Sequence, residues 1–311
     1  MLSNFLISVQ AVLPLFFLMM LGFLVRKKGW LNDAELKKFN SVIFKILFPF
    51  MVFSSIHKTD LSASFYPPLM IFCIVAILGV YFLSLPAVLR LEKNQASRGA
   101  MIQAIYRSNF VLLGLPLVSN LYQGADLGMT ALAVAVLIPL FNVLAVITLE
   151  VFRGGKPSPK KILHGIATNP LILGCLAGLL CIPVQIPFAL ETTINQLSAC
   201  ASPMALILLG ASFHLEHHPR YRRNLILCVL CRLALVPGLC LTTAALLGFR
   251  DMAFVTMIGV FASPCAVSSF TMAQQMNSDG ELAGACVVYT SFFSCFTMFL
   301  WIFLFKQLGI F

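Results

Sequence analysis

Two short stretches of the chain combine anion-binding residue types with breaks in otherwise apolar sequence. The first, RSNFVLLGLPL, carries Arg107, Ser108 and Asn109 and then Gly114-Leu115-Pro116, and the second is Ser263-Pro264-Cys265. Proline has no amide hydrogen and clashes with the preceding turn, so each stretch predicts an interrupted helix. A half-helix that begins inside apolar surroundings presents free amides and a positive dipole end, which attract anions.

The order of residues predicts where each helix stops and restarts. Gly114 is expected to end one half-helix, and Pro116 suits the first turn of the next. Ser263 followed by Pro264 is typical of an N-cap and a first-turn proline. Two simple proline kinks, which are common in membrane helices, are the alternative interpretation.

The elements that carry these stretches are predicted to lie in a membrane. Hydrophobic residues make up 60% of the 311 residues, charged residues make up 10%, and the mean hydropathy is +0.95. Soluble domains contain fewer apolar and more charged residues. Since each crossing needs about 20 apolar residues, the length suits roughly ten helices. The predicted apolar spans are 5–25, 38–56, 67–89, 99–123, 128–150, 162–182, 188–213, 223–247, 252–277 and 282–305.

The basic residues predict the orientation of these spans. If the N-terminus lies outside, the inner loops hold 15 Lys and Arg residues, whereas the outer loops and the tail hold 3. Cytoplasmic loops are the ones rich in Lys and Arg, so both termini are expected outside the plasma (inner) membrane. The net charge of +10 then reflects topology, and no basic stacking face for nucleic acid is present in the spans.

Several function classes lack their motifs in this sequence. Gly154-Gly155-Lys156 does not have the spacing of a phosphate-binding loop. The cysteines fall within apolar spans and are interpreted as small hydrophobic residues, and Cys228-x-x-Cys231 has no second pair. No carboxylate pair or histidine lies at a span centre. The sequence therefore predicts neither an enzyme nor a bound cofactor.

Weak internal symmetry suggests two related halves. Corresponding residues recur around spans 2 and 7 at offsets of 156, 155 and 154, namely Glu35 and Glu191, Asn40 and Asn195, and Pro49 and Pro203. Gly114-Leu115-Pro116 and Ala262-Ser263-Pro264 recur at an offset of 148. Because five spans is an odd number, the second half would enter the membrane from the opposite side and form an inverted repeat. The predicted halves are 1–151 and 162–311, joined by a cytoplasmic linker at 152–161.

Four segments resemble the auxin efflux carrier family in its short bacterial form. They are RSNFVLLGLPL from Arg107, PLFNVLAVITLE from Pro139, NPLILGCLAGLL from Asn169 and the Ser-Pro segment of span 9. The resemblance implies an all-α membrane protein of ten helices in two inverted five-helix repeats, with crossed broken helices 4 and 9. Helices 1, 2, 6 and 7 would form a scaffold that could also support a homodimer, and helices 3–5 and 8–10 would form a mobile transport domain.

The resemblance also implies a function. Family substrates are organic anions such as auxin, malate or malonate, so the chain is expected to be a secondary transporter with an elevator-type mechanism, exporting a small organic carboxylate. Two alternatives remain open: a sodium- or proton-coupled symporter, and a channel or ligand-sensing membrane protein. The related bile-acid sodium symporters place an acidic residue in helix 9, and its absence here favours an uncoupled carrier.

Individual residues are assigned candidate roles around the breaks. Arg107 lies about 14 Å along a helix from the last basic residue of the inner loop, hence near mid-membrane, where it is either a ligand contact or a cap on helix carbonyls. Asn109 is the preferred direct contact. Arg232 is expected to bind backbone carbonyls, and Lys45 either faces the substrate or reaches toward the headgroups. The candidate substrate site also includes Ser108, Gly114, Pro116, Asn142, Ser263, Pro264 and Cys265, and the candidate ion ligands are Ser268, Ser269, Gln274 and Gln275.

Overall fold

The computed structural model describes residues 14, 17–58, 66–111, 117–118, 121, 128–153, 159–212 and 219–311. Within these ranges the secondary structure is helical, and the single β-bridge joins Ser108 to Cys265. Five described helices are long and apolar enough to cross a membrane, and a sixth qualifies as a pair bent by 45°. The chain is therefore an all-α membrane protein, as predicted.

Each predicted span overlaps a helix or helix pair of the structure. We number them α1 (17–27), α2 (Asp33–His57), α3 (Pro67–Leu91), α4 (Gln95–Tyr106), α5 (Gly128–Val151), α6a (Pro159–Thr168), α6b (Pro170–Cys181), α7 (Phe188–Ser212), α8 (Pro219–Leu246), α9a (Asp251–Ala262), α9b (Val267–Gln275) and α10 (Gly280–Gln307). A π turn at Ile43–Leu47 interrupts α2, and another at Cys231–Leu235 interrupts α8.

Polar side chains fix the starts of several helices. Asn32 and Glu35 form a reciprocal capping box at the start of α2. Asn94 accepts from two amides of α4, and Asn169 caps α6b directly before Pro170. Asp279 accepts from the Leu282 amide at the start of α10. These caps satisfy amides that have no partner within their own helix.

Glycine allows α1 and α7 to touch through their backbones. A Cβ on Gly22 would overlap the Ile207 carbonyl of α7, and a Cβ on Gly210 would overlap the Met19 carbonyl of α1. Small residues permit such close approach between membrane helices. A larger side chain at either position would push the two helices apart.

Glycine also allows α2 and α6b to touch through their backbones. A Cβ on Gly174 would lie 2.6 Å from the Pro49 carbonyl oxygen, and one on Gly178 would lie 3.0 Å from that of Phe53. Ser54 of α2 also donates to Asn195 of α7 at 3.2 Å. Helices α1, α2, α6b and α7 are thus joined by four glycine–carbonyl contacts, two in each helix pair, and by one hydrogen bond.

Candidate functional site

Two interrupted helices face each other at the centre of the site. Helix α4 ends at Tyr106 and α9a ends at Ala262, and extended backbone follows both. The two extended segments pair antiparallel through Ser108 and Cys265, and the Asn109 amide donates to the Pro264 carbonyl at 2.8 Å. We call residues 107–109 and 263–266 the crossing.

The breaks are placed differently from the prediction. Helix α4 ends eight residues before Gly114, so the expectation that Gly114 ends it was wrong; Gly114 and Pro116 lie outside the described residues. Ser263 is the C-cap of α9a and not an N-cap. A residue before proline disfavours the helical region, and Ser263 accordingly has φ −63° and ψ 149°. Pro264 therefore ends one half-helix two residues before Ala266 caps the next.

The lengths and spacing of the two half-helices bear on the predicted alignment of the two halves. Helices α4 and α9a are both 12 residues long, and their first and last residues are 156 positions apart. Under the predicted repeat, this spacing pairs Ser108 with Pro264. It differs from the offset of 148 on which the sequence analysis matched the two proline motifs.

Arg232 of α8 holds the two half-helices together from behind. Its guanidinium donates to the carbonyls of Ser263 at 2.8 Å and Val260 at 3.1 Å at the end of α9a. It also donates to the carbonyls of Tyr106 at 3.3 Å and Ile105 at 3.4 Å at the end of α4. Helix C-termini carry unpaired carbonyls and partial negative charge. Arg232 binds carbonyls of both helix ends at once, and the prediction that it binds backbone carbonyls is confirmed.

Arg107 occupies the other side of the crossing and binds only side chains among the contacts described. Its Nη1 donates to Gln103 Oε1 at 3.0 Å and to Met272 Sδ at 2.8 Å, while Nη2 donates to Asn142 Oδ1 at 2.6 Å. The side chain is 3% exposed. Within the described part of the chain no carboxylate lies within 4.0 Å of it. The alternative that Arg107 caps helix carbonyls is thus wrong, because its described partners are all side chains. Arg232 binds the carbonyls instead.

A small cavity lies in front of the crossing. Its volume is about 60 Å³, which is above the roughly 10–15 Å³ that a cavity needs to hold one water. Helices α2, α5, α6b and α7 and the two breaks line it. The lining residues are Phe48, Met51, Val52, Ser55, Arg107, Ser108, Asn109, Val111, Ile138, Phe141, Asn142, Leu171, Ser202, Ala266, Val267 and Ser268.

Extended backbone brings Arg107 and Asn109 to the same cavity. A regular helix would have turned Arg107 and Asn109 apart, whereas the extended segment places Arg107, Ser108 and Asn109 all in the cavity lining. Ser108 Oγ and Asn109 Nδ2 are buried and have no hydrogen-bond partner among the residues that the structure describes. Buried polar atoms almost always have a partner, so two without one beside a cavity indicate a place for a bound ligand.

The start of α9b adds a second source of positive potential. Ala266, Val267 and Ser268 line the cavity at this helix start, and the cap residue Ala266 supplies no side-chain hydrogen bond. Helix N-termini stabilise negative charge. The start of α9b and the Arg107 guanidinium together give the cavity the positive potential of an anion site.

Not every candidate residue reaches this cavity. Lys45 is exposed on the π turn of α2 and lines a separate pocket with Pro170 and Gly174 of α6b. Gln274 and Gln275 are half-buried in the last turn of α9b and do not line the cavity, whereas Ser268 does. Two further candidates are buried behind the cavity lining: Ser269 and Cys265.

Several residues at the crossing were missed by the sequence reasoning. Thr290 of α10 accepts from the Cys265 amide at 3.1 Å, and Gln103 and Met272 hold Arg107. Ser202 of α7 lines the cavity opposite them. Lone polar residues and methionines in apolar spans give no signal of this role, since such residues are common in membrane helices.

Comparison with known proteins gives a family and three similar transporters. Residues 7–302 match the family described as "Membrane transport protein". The chain is 21% identical to an "Uncharacterized transporter" of Methanothermobacter thermautotrophicus, covering 94% of this chain and 97% of that protein. It is 23% identical to an "Uncharacterized transporter" of Methanocaldococcus jannaschii, covering 95% and 98%. It is 26% identical to a "Putative malonate transporter" of Rhizobium meliloti, covering 92% of each chain.

Proposed function

Since this chain belongs to the auxin efflux carrier-like membrane transport protein family, we propose that it carries small organic carboxylates across the plasma membrane, with both termini outside. The observation that carries the proposal is the buried Arg107 guanidinium at the cavity. Its hydrogen-bond partners are neutral, so a bound carboxylate would supply the missing negative charge. A buried cation is costly in a membrane unless it is paired or serves a function.

The neighbouring groups suit the rest of a dicarboxylate. Ser108 Oγ and Asn109 Nδ2 are buried donors without a partner in the described part of the chain, and the start of α9b, whose cap residue makes no side-chain hydrogen bond, also lines the cavity. One carboxylate would meet Arg107, and the other would meet the amides and side-chain donors. The name of the Rhizobium meliloti relative makes malonate the first substrate to test.

An elevator-type movement fits the position of the cavity. Residues of α2, α6b and α7, which belong to the predicted scaffold, form one wall, and α5 with the two breaks forms the other. A direct polar contact across this boundary is the bond from Asn40 Nδ2 of α2 to the Thr271 carbonyl of α9b, at 3.3 Å. Movement of the predicted transport domain along the predicted scaffold would carry the crossing and its ligand together.

The close helix contacts support the inverted repeat. Gly22 meets the Ile207 carbonyl, and Gly178 meets that of Phe53. The two glycines are 156 residues apart and the two partners are 154 residues apart. A pseudo-two-fold relation between the halves would generate this matched pair of contacts, α1 on α7 and α6b on α2.

Transport of labelled malonate into proteoliposomes tests the function. We expect saturable uptake that is accelerated by unlabelled malonate on the opposite side, which is counterflow and requires a carrier. Flux that never saturates would favour the channel alternative, and binding without flux would favour a sensor. Vesicles containing Arg107→Gln protein control for leakage.

A pair of crosslinks tests the elevator movement. A disulfide between Asn40→Cys and Thr271→Cys would join the predicted scaffold to the predicted transport domain. It should stop counterflow while leaving malonate binding intact, and reduction of the disulfide should restore counterflow. Joining Ser54→Cys to Asn195→Cys lies within the predicted scaffold and should leave counterflow unchanged. Undiminished counterflow through the bridged first pair would contradict the movement.

Membrane voltage is the driving force we propose for export. Spans 4 and 9 contain no Asp, Glu or His between Arg98 and Gln123 or between Met252 and Asn277, so the crossing lacks an obvious proton carrier. With the interior negative, each exported charge gains about 2.3 kcal/mol per 100 mV. Efflux should follow an imposed potassium diffusion potential without sodium or proton gradients. A strict need for either gradient would favour the coupled symporter.

A further inference from the structure

A long groove between α8 and α10 lies apart from the crossing. Its volume is about 760 Å³, far larger than the cavity at Arg107. The walls are mostly aliphatic and aromatic, and Ile226 and Leu230 on its lip are 48% and 54% exposed. Its lining includes Arg222, Ile226, Val229, Leu230 and Ala234 of α8 and Phe293 of α10.

Irregularities in both helices shape this groove. Helix α8 contains the π turn Cys231–Leu235, and α10 bends by 45° between Ser294 and Phe296. Trp301 of α10 donates its indole N–H to the Leu233 carbonyl at 3.0 Å. The two helices are therefore tied together beside one end of the groove.

The charge in the groove is confined to its other end. Arg222 is exposed, and within the described part of the chain no carboxylate lies within 4.0 Å of it. From Arg222 to Ala234 the helix rises about 18 Å at 1.5 Å per residue. One leaflet of a bilayer has a hydrocarbon depth of about 15 Å. The groove thus has the length of one lipid chain, with a cation at the level of the headgroup.

We propose that this groove binds an anionic phospholipid, with its phosphate at Arg222 and one acyl chain along α8 and α10. The basic loop around Arg222 is predicted to be cytoplasmic, so the lipid would come from the inner leaflet. Anionic lipids attract basic residues at a membrane surface, and one such residue contributes about a fivefold preference. The apolar walls accept the chain, and Arg222 selects the headgroup.

The fluorescence of Trp301 can report the binding of this lipid. It has two tryptophans, Trp30 and Trp301, and replacing the exposed Trp30 with Phe leaves Trp301 as the reporter beside the groove. Bromine on a lipid chain quenches tryptophan at short range. In this background, brominated phosphatidylglycerol should quench Trp301 at about fivefold lower mole fraction than brominated phosphatidylcholine.

Two neighbouring arginines provide matched variants. Arg222→Gln should abolish the preference for phosphatidylglycerol, whereas Arg223→Gln, which removes the same charge outside the groove lining, should retain it. Equal quenching by both lipids in the parent, or equal loss in both variants, would overturn the proposal, because general surface charge would then explain the result.

A second set of variants tests the acyl chain itself. The double variant Val229→Phe/Ala234→Phe narrows the groove and should reduce quenching by both lipids. Leu239→Phe adds the same kind of ring on α8 outside the groove lining and should change nothing. Undiminished quenching in the double variant would show that the lipid does not occupy the groove.

Discussion

Two buried arginines lie on opposite sides of the same crossing and have opposite surroundings. Arg232 donates to four backbone carbonyls at the ends of α4 and α9a. Arg107 donates to two side-chain oxygens and a sulfur and faces a cavity. Both are 3% exposed or less. Burial alone therefore does not separate a structural cation from a binding cation.

Partner chemistry separates the two roles. Two helix C-termini provide partial negative charge that compensates Arg232 permanently. The neutral partners of Arg107 orient the guanidinium but leave its charge available. A buried arginine beside a cavity that a ligand can enter is thus a candidate for anion binding, whereas a buried arginine that caps helix ends is part of the fold.

The largest expected effect follows from removing the structural cation. Arg232→Met leaves carbonyls of two half-helices without a donor, and each stranded buried group costs about 1–3 kcal/mol. We expect the variant to accumulate poorly and to unfold at markedly lower temperature, as measured by size-exclusion profile and thermal unfolding in detergent. Arg232→Lys, which keeps a charge but lacks the planar fork, should be intermediate. Wild-type stability of Arg232→Met would contradict the assigned role.

The next largest effect concerns the binding cation. Arg107→Gln removes charge-assisted hydrogen bonds worth about 1.5–3 kcal/mol each, so malonate counterflow should fall about 10- to 100-fold. Glutamine can still donate to Asn142, and the folded protein should remain in the membrane. If Arg107→Gln instead unfolds like Arg232→Met, the contrast between the two arginines fails.

A smaller effect is expected at Asn109. Asn109→Ala removes one neutral hydrogen bond to the ligand, worth about 0.5–1.5 kcal/mol, and should raise the half-saturating malonate concentration roughly 2- to 10-fold. Its backbone bond to Pro264 stays in place, so the crossing should keep its geometry. Unchanged affinity in this variant would move the ligand away from the extended segment.

Almost no effect is expected at Lys45. The side chain is exposed in a pocket separate from the crossing, so Lys45→Gln should leave malonate counterflow within about twofold of the parent. The variant removes one positive charge, as Arg107→Gln does, and so controls for general electrostatics. A loss comparable to that of Arg107→Gln would assign Lys45 to the substrate path.

Sequence reasoning predicted the helices better than the breaks. Long apolar spans follow directly from the cost of exposing backbone in lipid, so the all-α membrane class and the approximate placement of the helices could be predicted. The end of α4 could not, because the segment that follows it is extended through the pairing of Ser108 with Cys265, 157 positions away in the chain. Gly114 and Pro116 gave the stronger local signal, so the end of α4 was predicted too far along the chain.

The candidate site was predicted in part. Asn142 was proposed from sequence, and the structure brings it to Arg107. For Lys45 the sequence left two roles open, facing the substrate or reaching toward the headgroups, and the structure places it in a pocket separate from the cavity. Thr290 had no local signal, because its role is to accept the Cys265 amide that the broken helix leaves free.

Calorimetric titration of malonate into purified protein tests the central claim most directly. We predict saturable binding to the parent that is about 10- to 100-fold weaker in Arg107→Gln and unchanged in Lys45→Gln. Circular dichroism should first establish that all three proteins are equally folded. Equal malonate affinity in the parent and in folded Arg107→Gln would contradict the assignment of the crossing as an anion site.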